Sequence, residues 1–169
     1  MTIIRPEQPQ DIAAIRKIHE EAFGSPAEAN LVDALRQNGK ATFSLVAEDD
    51  GRVVGHILFS PVTIETNGQE LVGIGLAPVA VLPEFQNRGF GSLLVKHGLE
   101  CCLEAGHPFA VVLGHAHYYP RFGFAPASRF GIKSEYDVAD ENFMAMELRE
   151  GALQNHAGMA RYQPEFNEL

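Results

Sequence analysis

One short stretch of the chain has the residue types of a phosphate-binding turn. Residues 86–91 read Gln-Asn-Arg-Gly-Phe-Gly and follow an apolar run over residues 71–82, which Pro83 ends because proline cannot donate to a strand ladder. From Phe90 onwards apolar side chains recur every three or four residues, as on one face of a helix. The glycines let the backbone approach a ligand, and the first turn of that helix offers unpaired N–H groups and a partial positive charge. This strand-to-helix turn is therefore a candidate site for a phosphate or pyrophosphate.

The spacing of the glycines separates this turn from two other phosphate-binding loops. No Gly-Lys-Ser or Gly-Lys-Thr occurs in the chain, so it lacks a Walker loop. The dinucleotide-binding fingerprint needs a third glycine where this chain has Leu94. What remains is Gln-x-x-Gly-x-Gly, with Val81, Pro83 and Glu84 just upstream. The motif by itself leaves open a glycine-rich turn that serves packing alone.

The amino-acid composition narrows the class of protein. The chain has 169 residues, of which 46% are hydrophobic, enough for the core of a single domain. No apolar run approaches the ~20 residues of a membrane helix, and residues 1–11 contain no apolar signal-peptide core. We therefore expect a cytoplasmic protein with no membrane partner. Cys101 and Cys102 are adjacent, so they cannot form a disulfide framework and are expected to be small apolar filler.

The charge balance points to a class of partner. With 13 Lys and Arg against 22 Asp and Glu, the formal net charge is −9. Nucleic-acid binding needs clustered Lys and Arg, so we expect no nucleic-acid partner. An acidic surface is mildly favourable to a cationic substrate such as an amine, although many proteins are acidic for solubility alone.

The hydrophobic pattern predicts alternating strands and helices around the turn. Strands are expected at residues 2–5, 43–48, 53–65, 70–82, 109–113, 130–133 and 143–148, and helices at about 12–22, 27–38 and 90–105. Asp49-Asp50-Gly51 and Asn67-Gly68 are typical of hairpin turns. The continuous apolar run at residues 109–113 predicts a strand buried on both faces, parallel to the strand before the turn and reached by a right-handed crossover.

This order of elements, together with two motifs, resembles the GNAT superfamily of acetyl-CoA-dependent N-acyltransferases. The first motif is the glycine turn, and the second is Tyr119-x-x-x-Gly123-Phe124. Residues 118–124, with Leu-Ala-Pro-Val-Ala-Val before the turn, are similar to the YhbS-like branch of bacterial N-acetyltransferases. The resemblance implies an α/β protein with the GNAT fold, a mixed central sheet with flanking helices, over residues 1–149, followed by a C-terminal tail over residues 150–169.

The resemblance also implies acetyl-CoA as the co-substrate. In the family, the pantetheine arm lies along the strand before the loop, and backbone N–H groups of the loop hold the pyrophosphate. Pro78 fits a strand whose pairing is interrupted there. Arg88 is expected to add a charge-assisted bond, with a solvated surface charge as the alternative. The residues that this assigns to the cofactor are Val79, Ala80, Val81, Gln86, Asn87, Arg88, Gly89, Phe90, Gly91 and Ser92.

The chemistry that the resemblance implies is direct transfer of acetyl to a primary amine of a small molecule or a protein. Tyr119 stands at the family's position for the acid that protonates the CoA thiolate. The general base stays open among His115, His117 and Glu84. His-x-His could also suggest a metal, but no third ligand is spaced to complete a set, so no metal is expected. Cys101 is a poor nucleophile because a thiol inside a helix has no cause for a lowered pKa.

Two alternatives stay open from the sequence. A non-catalytic CoA-binding or regulatory module would carry the same cofactor motif, since a fold does not guarantee activity. The acceptor side, which the family builds from residues 23–30 and 124–140, has mixed charges that point to no single amine. The late strand with Met144 and Met146 fits either the core or a homodimer interface.

Overall fold

The computed structural model describes residues 1–169 and divides into two compact units. The first unit contains Met1–Phe59, Ala77–Gly98 and Pro164–Leu169, and the second contains Ser60–Leu76 and Leu99–Gln163. The helices are α1 (Ile12–Phe23), α2 (Ala27–Gln37) and α3 (Phe90–Glu104). The strands are β1 (Thr2–Pro6), β2 (Phe43–Asp49), β3 (Arg52–Thr66), β4 (Gln69–Val81), β5 (Phe109–Leu113), β6 (Ala125–Pro126), β7 (Ile132–Ser134), β8 (Phe143–Glu147) and β9 (Gly158–Arg161). None of the helices has the length and apolar character needed to cross a membrane.

In the first unit, β1, β2 and the start of β3 pair antiparallel. Leu45 lies opposite Ile57, and the register shifts by one bulge at Ala47 and Glu48. The predicted hairpin at residues 49–51 is confirmed, with Gly51 at φ +84°. The start of β3 is also bonded to the end of β4. The N–H of Leu82, the residue after β4, donates to the carbonyl of Val54 at 2.8 Å.

Helices cover both faces of the first unit's sheet. Neighbouring residues of a strand point to opposite faces, so His56 meets His19 of α1 while Gly55 faces Leu94 of α3. A Cβ on Gly98 would lie 2.2 Å from the ring of Phe59, so the absence of a side chain lets α3 approach β3 closely. The expected sandwich of helices around a sheet is therefore confirmed in this unit.

A chain of buried polar side chains ties α1 to β3 and β2. His19 Nε2 lies 2.8 Å from His56 Nδ1, and His56 Nε2 lies 2.7 Å from the Ser44 hydroxyl. That hydroxyl donates to the Glu7 carboxylate, which also accepts two bonds from the Arg36 guanidinium of α2, at 2.7 and 2.9 Å. Both histidines are 0% exposed. The helical spacing had placed His19 inward, but it gave no sign of this polar chain.

The hydrogen-bond directions fix the tautomers of the two rings. The Ser44 proton goes to Glu7, so the hydroxyl oxygen accepts from His56 Nε2–H. Because burial lowers the pKa of His56, its ring is neutral at pH 7 and its Nδ1 accepts from His19 Nε2–H. Both histidines are then neutral, and His19 Nδ1 is left as a buried acceptor with no protein partner. Burial lowers the pKa of His19 to about 3 and also lowers the pKa of His56. Burial alone would raise the pKa of Glu7, but His56, Arg36 and Ser44 hold that pKa well below its usual range.

The second unit contains the parallel pair that makes the sheet mixed. Ile74 of β4 pairs with Ala110 of β5 in parallel, as expected for a crossover, and β5 pairs antiparallel with β8, which pairs with β6. The strand predicted at residues 130–133 is wrong in its start, because Gly131 at φ +72° ends a 3-10 helix and β7 begins after it. Met144 is 1% exposed and belongs to the core of this unit.

Residues 150–169 contain more regular structure than their composition suggests. Strand β9 pairs with the end of β3, where Ile64 lies opposite Ala160, and with β7. In the first unit, the 3-10 helix Pro164–Glu168 is attached through Glu165, which accepts a bond from Lys40 at 2.9 Å. The domain boundary at residue 149 stays a prediction.

The neutral histidine pair predicts a specific pH dependence of stability. The pKa of each folded ring lies below its unfolded value of about 6.5, so at about pH 5.5 the unfolded chain binds protons that the folded chain does not. Between about pH 7.5 and about pH 5.5 we expect His19 to remove roughly 1.4 kcal/mol from the free energy of unfolding, and the lowered pKa of His56 adds to this loss. Urea unfolding at the two pH values measures this loss.

Two variants separate the buried pair from the other titrating groups. His19→Gln keeps a donor for His56 and removes one titrating ring, so the part of the pH dependence that His19 contributes should disappear. His97→Gln removes an exposed histidine of α3 and should leave the pH dependence of the wild type in place. Equal pH dependence in the wild type and His19→Gln would show that the buried rings do not stay neutral.

Candidate functional site

The glycine turn joins the end of β4 to the start of α3 within the first unit. Val79 and Val81 are half-buried and Ala80 is buried at the end of the strand. A short 3-10 helix, Pro83–Phe85, follows, and the side-chain amide of Gln86 then donates back to the carbonyl of Val81 at 3.0 Å. This bond fixes the turn against the strand end.

Two left-handed residues redirect the chain into α3. Asn87 has φ +63°, which asparagine tolerates better than most side chains, and Gly89 has φ +88°. A Cβ at Gly89 would meet nothing within 4 Å, so its backbone conformation, and not crowding, is the reason for glycine here. The motif's first glycine is thus explained by the geometry of the turn.

The first turn of α3 presents backbone donors next to this loop. The first helical bond runs from the Leu93 N–H to the Gly89 carbonyl at 3.1 Å, so the N–H groups of Phe90 and Gly91 precede the helical ladder. Phe90 is 6% exposed, and its ring lies edge-on to Phe85 at 6.1 Å between centroids, which anchors the start of the helix. Donors ordered in this way, at the positive end of a helix, can bind an anionic phosphate without rearrangement.

The two charged residues of the turn, Glu84 and Arg88, make different contacts. Arg88 is exposed, and its guanidinium lies 5.2 Å from the centroid of the Phe85 ring. Glu84, one of the candidate bases, pairs with Arg52 at 3.2 Å, with both side chains 53% exposed. The sequence reasoning missed Arg52, since it lies on another hairpin and no motif marks it.

Tyr119 lies in the second unit, at the start of the 3-10 helix Tyr119–Phe122. Its ring packs against Phe124, with centroids 5.9 Å apart, and a Cβ on Gly114 would lie 2.2 Å from it. Gly123, at φ +108°, ends the short helix as the second motif requires. Burial raises the pKa of Tyr119 to about 12, so the phenol is protonated at neutral pH and can act as a donor.

The remaining candidate groups are the two loop histidines and the two cysteines. His115 and His117 have exposed side chains, while the carbonyl of His115 accepts the Tyr118 N–H at 3.1 Å. No group of three or more His, Cys, Asp or Glu side chains has a metal-binding arrangement. Burial raises the pKa of Cys101, and it raises the pKa of Cys102 to about 12, so neither thiol is activated as a nucleophile.

Comparison with known proteins places this fold and turn in a family. A family model described as an acetyltransferase (GNAT) domain matches residues 3–127. The chain therefore belongs to the GNAT acetyltransferases, and the GNAT fold expected from its sequence is confirmed.

Among its relatives, the N-acetyltransferase YhbS of Escherichia coli strain K12 is 36% identical over 168 residues, which is 99% of both chains. The expected likeness to the YhbS-like branch is thereby confirmed. The crystal structure of Escherichia coli YhbS in complex with CoA matches with a TM-score of 0.92, over 98% of this chain and 92% of that one. A GNAT acetyltransferase from Brucella melitensis in complex with acetyl-CoA is 38% identical and matches with a TM-score of 0.82 over 98% of both chains.

The first turn of α3 supports a prediction about Gly91. A Glu at this position suits the helix N-terminus, so Gly91→Glu should remain folded, but its carboxylate should repel a bound pyrophosphate. We expect the affinity for CoA to fall by roughly 10²-fold in calorimetric titration. Gly91→Gln has nearly the same size without the charge, and the difference between the two variants measures the repulsion. Wild-type affinity in a folded Gly91→Glu protein would show that the pyrophosphate binds elsewhere.

Proposed function

We propose that this protein transfers the acetyl group of acetyl-CoA to a primary amine of a small molecule or a protein. The observation that carries the proposal is the turn of residues 86–92, where Gly89 is left-handed and the chain enters the N-terminus of α3. Two relatives that are 36% and 38% identical over nearly the whole chain were solved with CoA and acetyl-CoA, which supports the same co-substrate here.

The turn and the end of β4 would hold different parts of acetyl-CoA. The backbone N–H groups of residues 87–92 would hold the pyrophosphate, with Arg88 adding a charge-assisted bond. The backbone of Val79, Ala80 and Val81 is assigned to the pantetheine arm. A backbone N–H near Val81 would polarise the thioester carbonyl, since a fixed donor aimed at developing negative charge stabilises the transition state.

The reaction is a direct displacement at the thioester carbon. The neutral amine forms a C–N bond to the acetyl carbon, the C–S bond breaks, and the proton of the amine leaves to a base or water. No acyl-enzyme is needed, in keeping with two cysteines whose pKa values are raised. Tyr119, at the position of the acid, would donate a hydrogen bond from its phenol to the departing sulfur, and the thiolate would then be protonated from solvent. A cytoplasmic location stays a prediction.

Thermal unfolding tests the binding of acetyl-CoA. A ligand that binds only the folded state raises the melting temperature, so acetyl-CoA at about 1 mM should stabilise the protein by roughly 2–4 °C or more, depending on its Kd. NAD and ATP should have much smaller effects because they lack the pantetheine arm. An unchanged melting curve with acetyl-CoA would overturn the assignment. A shifted curve without turnover on a panel of amines would indicate a binding module in place of an enzyme.

Removing the Tyr119 hydroxyl tests its chemical role. Tyr119→Phe keeps the ring that packs against Phe124, so the fold and the affinity for acetyl-CoA should change little. If the hydroxyl assists the departing thiolate, initial rates should fall by roughly 10²-fold, within the usual range for a positioned acid. Tyr118→Phe is the matched control on the neighbouring ring and should retain near-normal turnover. Loss of rate in Tyr118→Phe alone would move the role to Tyr118, and full rates in both variants would leave Tyr119 with packing alone.

A further inference from the structure

A pair of arginines shares one aromatic ring beside the glycine turn. Arg52, at the start of β3, and Arg88, in the turn, each place the guanidinium carbon 5.2 Å from the centroid of the Phe85 ring. Both contacts are within the range of cation–π attraction, so one ring attracts both cations. We name Arg52 and Arg88 the arginine pair.

The backbone explains why a residue of another hairpin lies here. The Leu82 N–H bonds to the Val54 carbonyl at 2.8 Å, which brings the first residues of β3 next to the end of β4. The 3-10 helix Pro83–Phe85 then turns Phe85 towards the hairpin, where it is half-buried. The position of Arg52 is therefore set by strand pairing and not by the turn itself.

Two carboxylates neighbour the arginine pair, because Asp49 lies opposite Arg52 in the register of β2 and β3 and Glu84 contacts Arg52 directly. The Glu84 carboxylate lies 3.2 Å from the Arg52 guanidinium. Asp50, on the same hairpin, is engaged by the N-terminal ammonium group of Met1. Both Arg52 and Glu84 are 53% exposed, so their ion pair is weak and can be exchanged for a stronger one. A phosphate offers more negative charge and more acceptor oxygens than one carboxylate.

We propose that Arg52 binds the 3′-phosphate of CoA and so makes the protein prefer CoA to dephospho-CoA. The inference rests on the proposed function, in which residues 86–92 hold the pyrophosphate. In CoA the 3′-phosphate is attached to the same ribose as the pyrophosphate, so the two groups reach neighbouring parts of the protein surface. Arg88 belongs to the pyrophosphate turn, and Arg52 is the second cation beside it. Glu84 occupies Arg52 in the free protein and is displaced when the phosphate binds.

Calorimetric titration with CoA and with dephospho-CoA tests this inference. The wild type should bind CoA about tenfold more tightly, since one charge-assisted contact to an exposed phosphate is worth about this factor. Arg52→Gln should weaken CoA binding by most of this factor and leave the affinity for dephospho-CoA unchanged. Arg52→Lys should keep part of the preference because it keeps the charge. Raising the salt concentration should reduce the preference in the wild type.

The competing carboxylate offers a variant that should gain affinity. Glu84→Gln frees Arg52, so it should strengthen the binding of CoA by about twofold to fivefold and that of dephospho-CoA much less. Lys17→Gln removes an exposed cation on α1 and is the control for the net-charge change of Arg52→Gln, with no change in preference expected.

The possible failures can be told apart. Equal affinity of the wild type for CoA and dephospho-CoA, or an equal loss for both ligands in Arg52→Gln, would overturn the role of Arg52 while the proposed function stands. If neither ligand binds the wild type, the proposed function itself fails and the inference fails with it. Thermal unfolding of each variant without ligand confirms that the exposed substitutions leave the fold intact.

Discussion

The buried hydrogen-bonded chain from His19 to Glu7 is the constraint on which the first unit depends. A buried polar group without a partner costs more than a made hydrogen bond contributes, so a register that separated His56 from either neighbour would be penalised. This holds α1 at one position on β3, and Arg36 extends the chain to α2. Because β3 also accepts the Leu82 N–H, the same constraint fixes where β4 ends and where the glycine turn begins.

The turn follows directly on that fixed strand end and would form the pyrophosphate site of the proposed function. The Gln86 amide returns to the Val81 carbonyl, and the left-handed backbone at Asn87 and Gly89 aims the start of α3. Phe90 is buried and holds the first helical turn in place, so its N–H groups are ordered before any ligand arrives. Ordering these donors in advance spares the entropy that a flexible loop would lose on binding. The glycines and the buried Phe90 therefore both help to order the N–H groups at the start of α3.

The sequence predicts local features well and long-range contacts poorly. The glycine turn, the hairpin at residues 49–51 and the strand 109–113 follow from short patterns, and all three are found. The pairing of His19 with His56 joins residues of two elements, and nothing in the local pattern reports it. Arg52 is missed for the same reason. Strand β9 has four residues and is defined by its partners, so its own composition gives no signal.

The buried state of Tyr119 limits what kind of acid it can be. Its pKa is about 12, whereas an ordinary thiol such as cysteine has a pKa of about 8.5, so complete proton transfer from the phenol to a free thiolate would be uphill by roughly 5 kcal/mol. A hydrogen bond from the protonated phenol to the leaving sulfur avoids that cost and strengthens as charge develops in the transition state. Burial weakens Tyr119 as an acid, but it also keeps the phenol protonated. Since the ring also packs against Phe124, Tyr119 is better suited to donate a fixed hydrogen bond than to give up its proton. In the proposed reaction the thiolate would therefore take its proton from solvent after the C–S bond has broken.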